Sequence, residues 1–454
     1  MDISSPSDRP APGGKGVSPV SRRKVLQSGV AALGGAGAGV LGAVRSGAQP
    51  IPGPRQASMA GTRYRAFVRY QDGVNVEELT LLPIREREVV VRTEASMACY
   101  SITPFALGTN NYARPTIMNH SGMGVVEEVG PMVKRVQPGD RVIIAGTPQC
   151  GQCYQCLQGR SDHCQFLRGA DVHPIARMDD GTDVIEMSAL GGISELMVVA
   201  EEYCCPVFTR VPAASLAMLA DTSGTGLAAG MNLTQVHPGA SVAVMGLGPL
   251  GLAAVQSARI MGAGEIIGVD PIPARREIAA RVGATVTLDP NAEGDDLVER
   301  IRDLTATPTD RLFAGGTMFG PGADYVFEAV GGDQFPPVEP AGPDPTGILP
   351  LSQCFEMARP GGHIVGHGIG QRGDISFRAS GFCISGKTFH AGQQGGMNML
   401  ADLPRFVRLI ETGQFDADAL LGRTYSLDDA RQAFQDVADR TVVSAVVVFD
   451  REGA

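Results

Sequence analysis

The sequence predicts an α/β protein in two parts: a mostly β domain, then a parallel sheet wound with helices on both faces. Three observations carry this. From Tyr64 to about Ala200, short strand-like runs are broken by turn residues. From Ser241 onward, short apolar runs alternate with helical patterns, as βαβ units require. At 454 residues, 43% of them hydrophobic, the chain can build two cores of ordinary size.

The N-terminus stands apart. Ser21-Arg22-Arg23-Lys24-Val25-Leu26-Gln27 precedes a weakly apolar, Gly/Ala-rich run from Ser28 to Ala43, and Ser46-Gly47-Ala48 supplies small residues that suit a signal peptidase. Residues 1–48 thus resemble a twin-arginine export signal, read by the export machinery through its paired arginines. The apolar run is too short and too rich in glycine for a good membrane span. A disordered basic tail is the alternative. Export would place the protein in the periplasm or outside the cell, and an unused signal would leave it in the cytoplasm. A Pro-rich linker over 49–61 follows, and order is expected from about Thr62. The net charge of −10, with no strongly basic stretch beyond this segment, excludes a nucleic-acid partner.

In the first part the strand candidates are Tyr64–Tyr70, Val76–Leu82, Glu88–Glu94, Gly124–Val129 and Arg141–Ala145, the last fed by the turn at Gly139-Asp140. In the second they are Val242–Met245, Ile266–Val269, Thr285–Leu288, Val326–Ala329 and Ile364–Gly366. Helical patterns at Leu250–Met261, Ala274–Val282 and Asp295–Leu304 lie between them. Helices near Leu400–Thr412 and Leu427–Val437 and a strand at Val442–Phe449 close the chain. Between Gly331 and Leu351, Pro336, Pro337, Pro340, Pro343 and Pro345 exclude helix and central strand. A long loop is expected there, either a lid over the ligand end of the sheet or an inert insertion.

Gly246-Leu247-Gly248-Pro249-Leu250-Gly251 follows a strand and opens a helix, the context a dinucleotide-binding loop needs. Gly246 permits the tight turn, Gly248 lets backbone approach the pyrophosphate, and Gly251 lets helix pack on strand. The helix N-terminus, starting at Pro249 and Leu250, offers N–H donors to phosphate. Asp270, ending the next strand, would accept from the ribose hydroxyls and repel a 2′-phosphate. NAD is therefore expected over NADP, although Arg275 and Arg276 could pair with such a phosphate.

Four of the nine cysteines form Cys150-x-x-Cys153-x-x-Cys156-x7-Cys164. Four close thiolates can wrap one tetrahedral zinc and leave no position open, which makes the site structural. Two disulfides are the alternative in an exported protein, but their loops would be very small, and twin-arginine cargo folds in a reducing cytoplasm. His163 reads as a surface residue.

Together with Asn119-His120-Ser121-Gly122-Met123-Gly124-Val125-Val126-Glu127-Glu128-Val129-Gly130, these motifs resemble the zinc-type medium-chain dehydrogenase/reductase family, from about Thr62 to Asp450. The resemblance implies a GroES-like β catalytic domain (62–225, with the structural zinc lobe), a Rossmann NAD-binding domain (226–384) and a return to the catalytic domain (385–454). It implies two Zn2+ per chain, the catalytic one held by Cys99, His120 and Asp221. It further implies a proton-relaying Ser101, Thr225 at the cofactor site, a small alcohol or carbonyl substrate, and a homodimer or tetramer. Two departures stand out: Ser121 where a glutamate is usual, and Ile102 where an aspartate orients the ligand histidine. Cys204, Cys205, Cys354 and Cys383 are expected to pack, and His173, His237, His363, His367 and His390 carry no assignment.

The expected activity is reversible hydride transfer between an alcohol, or an aldehyde or ketone, and NAD. A metal-free quinone or enone reductase on the same fold, favoured by Ser121 and Ile102, competes with it. So does a non-catalytic exported dinucleotide-binding protein.

Overall fold

Residues 57–449 are described by a computed structural model, apart from 72, 109–110, 167–171, 313–319, 333–343, 345, 370–372 and 378. The export signal, residues 49–56 of the linker and most of the Pro-rich loop lie outside the described residues.

Alternating apolar positions in Arg63–Gln71 bury Phe67 on one side and Tyr64, Ala66 and Val68 on the other. This strand hairpins with Gly73–Leu81 and starts a closed barrel completed by Ala176–Arg177, Asp183–Glu186 and Tyr112–Ile117. A second sheet runs Cys204–Pro206, Arg141–Ile144, Gly122–Val129, Glu88–Met97, Ala445–Val448, Arg423–Tyr425, with Leu196–Ala200 also paired to Glu88–Met97. Val446 opposite Met97 and Val448 opposite Ala95 thus bring the end of the chain back onto one of its first strands.

The third sheet is parallel throughout, in the order Val286–Leu288, Glu265–Val269, Ser241–Met245, Ala323–Glu328, Ala358–Gly366, Thr388–His390. Every residue of Ser241–Met245 is buried, as both faces are covered by helices. The order reverses between Ser241–Met245 and Ala323–Glu328, and ligands bind at such switch points. The architecture is α/β, a GroES-like β domain with a Rossmann-type doubly wound domain.

Several boundaries differ from expectation. The helix expected at Asp295–Leu304 begins as a 3-10 turn, Gly294–Asp296, before Leu297–Leu304. The helix expected at Leu427–Val437 is Ala430–Ala438, because Ser426 Oγ bonds Asp429 Oδ2 at 2.7 Å in a turn that delays it. Tyr112–Ile117 is a strand despite Pro115, and Thr388–His390 extends the parallel sheet past residue 384. Both are short and carry no clear alternation.

Candidate active site and metal centres

Cys99 follows strand Glu88–Met97 and precedes the 3-10 turn Tyr100–Ile102. His120 lies between strands Tyr112–Ile117 and Gly122–Val129, after Asn119, whose φ of 82° is left-handed. Asn119 holds that conformation through Nδ2, which donates to Ser96 Oγ and Met97 O, each at 2.8 Å. Ser96 Oγ donates in turn to Ser121 O at 2.7 Å. His120 is therefore fixed on both sides to the strand that delivers Cys99.

Asp221 precedes the helix Thr222–Ala228 but its side chain caps nothing. Its Oδ2 is buried without a hydrogen-bond partner and lies 3.7 Å from His120 Nε2. One donor atom each of Cys99, His120 and Asp221 falls within 4.8 Å of the others. Burial pushes the Cys99 thiol far up, and the Asp221 charge pushes it further. A buried carboxylate oxygen left unpaired and a thiol denied ionisation are both relieved by a cation among them. One sulfur, one imidazole nitrogen and one carboxylate fit zinc with a fourth position open. Ser101 Oγ stands 3.0 Å from Cys99 Sγ and 3.5 Å from His120 Nε2. Ile102 and Ser121 carry no carboxylate to orient the histidine, and Ser121 Oγ is itself buried and unpartnered.

The second cluster is closed. Cys150, Cys153, Cys156 and Cys164 lie mutually within ligand reach, and no cysteine of the described residues is in a disulfide. Sγ separations of 4.0 Å (Cys150 to Cys156) and 3.9 Å (Cys153 to Cys164) are near the ~3.8 Å between vertices of a tetrahedral Zn–S site. Backbone N–H groups of Cys150, Cys153, Cys156 and Gln165 point at sulfurs at 3.4–3.5 Å. Burial opposes ionisation of Cys153, yet the N–H groups of Cys156 and Gln165 win and hold its thiol down at about 6. His163 is half exposed and pairs with Asp162 at 3.3 Å, outside the cluster.

At the dinucleotide loop two of the three glycines have a steric reason. Gly246 has φ 88°, and a Cβ there would meet Ala329 O at 2.8 Å. A Cβ on Gly251 would lie 1.8 Å from Gly246 O. A Cβ on Gly248 would meet nothing within 4 Å, which leaves that side of the N-terminus of Pro249–Ile260 open. Asp270, buried, accepts from Leu247 N and Ile272 N, both at 2.8 Å. Arg276 donates to Asp270 O at 2.7 Å and pairs with Asp289 at 3.2 Å, while Arg275 lies 3.7 Å from Asp270. Thr225, one turn into its helix, spends its hydroxyl proton on Asp221 O at 2.9 Å.

Sequence reasoning missed Glu328. Its buried Oε1 accepts from Val330 N and Gly331 N at 2.8 Å, and Oε2 from Gly368 N at 3.2 Å, tying two loops at the ligand end of the sheet. A lone acid ending an apolar strand was the available signal. Cys204, Cys205 and Cys354 are buried as expected, but Cys383 is exposed, since the short helix Ala379–Ser385 buries no residue. His173 pairs with Glu88 at 3.1 Å, and His363 Nδ1 meets His390 Nε2 at 2.8 Å, away from both clusters.

The family model of the alcohol dehydrogenase GroES-like domain matches residues 85–209, and that of the zinc-binding dehydrogenase matches 249–338. Alcohol dehydrogenase class-3 of Cereibacter sphaeroides is 28% identical over 399 residues, 85% of this chain and 100% of the relative. The NDMA-dependent alcohol dehydrogenase of Amycolatopsis methanolica is 29% identical over 382 residues, 82% and 95% of the two chains. The crystal structure of an alcohol dehydrogenase zinc-binding domain protein from Burkholderia ambifaria has a TM-score of 0.74 at 26% identity, covering 86% of this chain and 99% of that one. The chain is thus similar to zinc-binding medium-chain dehydrogenases over most of its length. That similarity supports an oxidoreductase of the zinc-binding alcohol dehydrogenase type.

Proposed function

We propose that this protein reversibly oxidises an alcohol to an aldehyde or ketone with NAD, using one catalytic and one structural zinc. The observation that carries the reading is the Cys99–His120–Asp221 triangle around a buried, unpartnered carboxylate oxygen. Those three residues would hold the catalytic zinc, which supplies Lewis acidity to the alcohol oxygen when bound. Cys150, Cys153, Cys156 and Cys164 would hold the other. Ser101 Oγ would relay the alcohol's hydroxyl proton, taking it up while passing its own on towards solvent, and a bound nicotinamide would supply the hydride acceptor. The Gly246–Gly251 loop would hold the pyrophosphate, and Thr225, whose hydroxyl donates to Asp221 O, would stand near the cofactor. Asp270 faces the ribose, and the engagement of Arg275 and Arg276 with Asp270 and Asp289 leaves little positive charge for a 2′-phosphate, which favours NAD.

The same reading includes export by the twin-arginine route and assembly into a dimer or tetramer; cell fractionation and light scattering test these two parts. For the reaction, alcohols and carbonyl compounds are screened by nicotinamide absorbance before and after treatment with a chelator. Turnover that chelation abolishes and zinc restores is expected. Turnover indifferent to chelation would point instead to a metal-free enone reductase, and none with any substrate to a non-catalytic binder.

A further inference from the structure

With Ile102 and Ser121 at positions where the family resemblance leads one to expect carboxylates, some other group must hold the ligands of the catalytic triangle in place. One side chain reaches both halves of it. Gln394 Oε1 accepts from Thr147 N at 3.0 Å, and Gln394 Nε2 donates to Ala220 O at 2.9 Å. Ala220 directly precedes Asp221. Thr147 directly follows Gly146, which abuts the ligand histidine: a Cβ on Gly146 would meet His120 Nδ1 at 3.2 Å and Gln394 Nε2 at 3.5 Å.

The loop that carries Gln394 is itself locked. Gln394 adopts φ 44°, ψ 46°, and Gly395 and Gly396 follow at φ 70° and 74°. A Cβ on Gly395 would lie 2.2 Å from Thr225 O, so the loop sits directly against the helix that Asp221 begins. For a residue with a Cβ, the left-handed region costs on the order of 1 kcal/mol, a cost glycine escapes. What glutamine adds at this position is its side chain, and both ends of that side chain are used.

We infer that Gln394 is a positioning residue for the catalytic metal. Its amide ties the backbone beside His120 to the backbone beside Asp221, doing for the ligand geometry what the absent carboxylates cannot. The inference rests on reading Cys99, His120 and Asp221 as a zinc site. Gln394→Gly removes the tie while relieving the backbone, so a change cannot be put down to strain. Gln394→Glu keeps the acceptor for Thr147 N but cannot donate to Ala220 O.

The test compares zinc content over time in a chelator and the visible spectrum after cobalt substitution, with the thermal transition as a check on folding. Wild type is expected to hold two zincs. Gln394→Gly should release one of them roughly 10–100-fold faster, the loss typical of removing a group that orients metal ligands. It should also show an altered cobalt spectrum and keep the four-cysteine zinc. Gln394→Glu should fall between. Zinc loss and cobalt spectra equal to wild type in both variants would overturn the inference. A wild type that holds only one zinc would overturn the metal reading itself, before any variant is compared.

Discussion

Glu186 illustrates what a single buried acid does to a fold of this kind. Its Oε1 accepts from Val198 N at 3.1 Å, it packs on Gly191, and the buried Tyr64 hydroxyl has no hydrogen-bond partner. Burial pushes its carboxyl up from 4.5 to about 8, against the opposing pull of the Val198 N–H. Between those two pH values the unfolded chain has lost the proton that the folded chain keeps, so stability falls as pH rises through the window and levels off above about 8. The slope is at most roughly 1.4 kcal/mol per pH unit. Glu186→Gln should flatten it, leaving stability near pH 4.5 almost unchanged and raising it at pH 8. Denaturant melts across this range check the claim, and an unaltered slope would show that Glu186 ionises normally in the fold. None of this was legible in the sequence, where Glu186 is one acid among many. His120, Cys99 and Asp221 could be read there because motif order pins them. Asn119 could not, since its left-handed backbone and its bonds to Ser96 and Met97 exist only once two distant strands pair.

Among the elements, the strand–loop–helix unit Ser241–Ile260 was the most readable, because its apolar run, its glycines and its helix follow one another in a single short stretch of sequence. Elements held by distant partners were not. Tyr112–Ile117 closes the barrel against Arg63–Gln71, and Arg423–Tyr425 pairs with Ala445–Val448; neither has an alternation that would announce it. The second strand of the parallel sheet carries the cofactor prediction. Asp270→Gly should narrow the preference for NAD over NADP by about tenfold, the equivalent of roughly 1.4 kcal/mol. It should also destabilise the unit, because the amides of Leu247 and Ile272 lose their acceptor at a cost of about 1–3 kcal/mol each. Relative kcat/KM for the two cofactors and the melting temperature are the readouts. A parent enzyme that already prefers NADP would remove the assignment of Asp270.

For the molecule as a whole, the order of parts along the chain could be read in advance, down to the apolar C-terminal strand. Its partner could not, since an apolar run of that length does not say which strand it joins. The return of Ala445–Val448 to Glu88–Met97 closes the β domain only when both strands have been made. An exported chain of this design would be folded, with its dinucleotide loop formed, before it left the cytoplasm. Outside, no soluble NAD pool is expected, so the cofactor would have to travel inside the enzyme and be recycled by a second substrate. Protein purified from the exported fraction without added NAD should then release near-stoichiometric dinucleotide on denaturation and show ping-pong kinetics. An empty site with ordinary saturation by added NAD would mean that the enzyme draws on an exchangeable pool.

The four-cysteine lobe has a consequence of another kind. Its short α-helix, Tyr154–Leu157, buries no residue, and Tyr154 and Leu157 are 67% and 70% exposed. Phe166 packs edge-on against Tyr203 at the far end, so between Cys150 and Cys164 the sulfurs are the main hold on the segment. Loss of its zinc should therefore turn the lobe into a site of proteolytic nicking between Cys150 and Phe166 while the sheets stay intact. Limited trypsin digestion of Cys150→Ser, or of protein stripped of metal, should cut first at Arg160. A lobe as resistant as that of the zinc-loaded protein would show that something other than metal keeps it ordered. In a cell, that same exposed arginine would mark any molecule that failed to acquire zinc for early destruction.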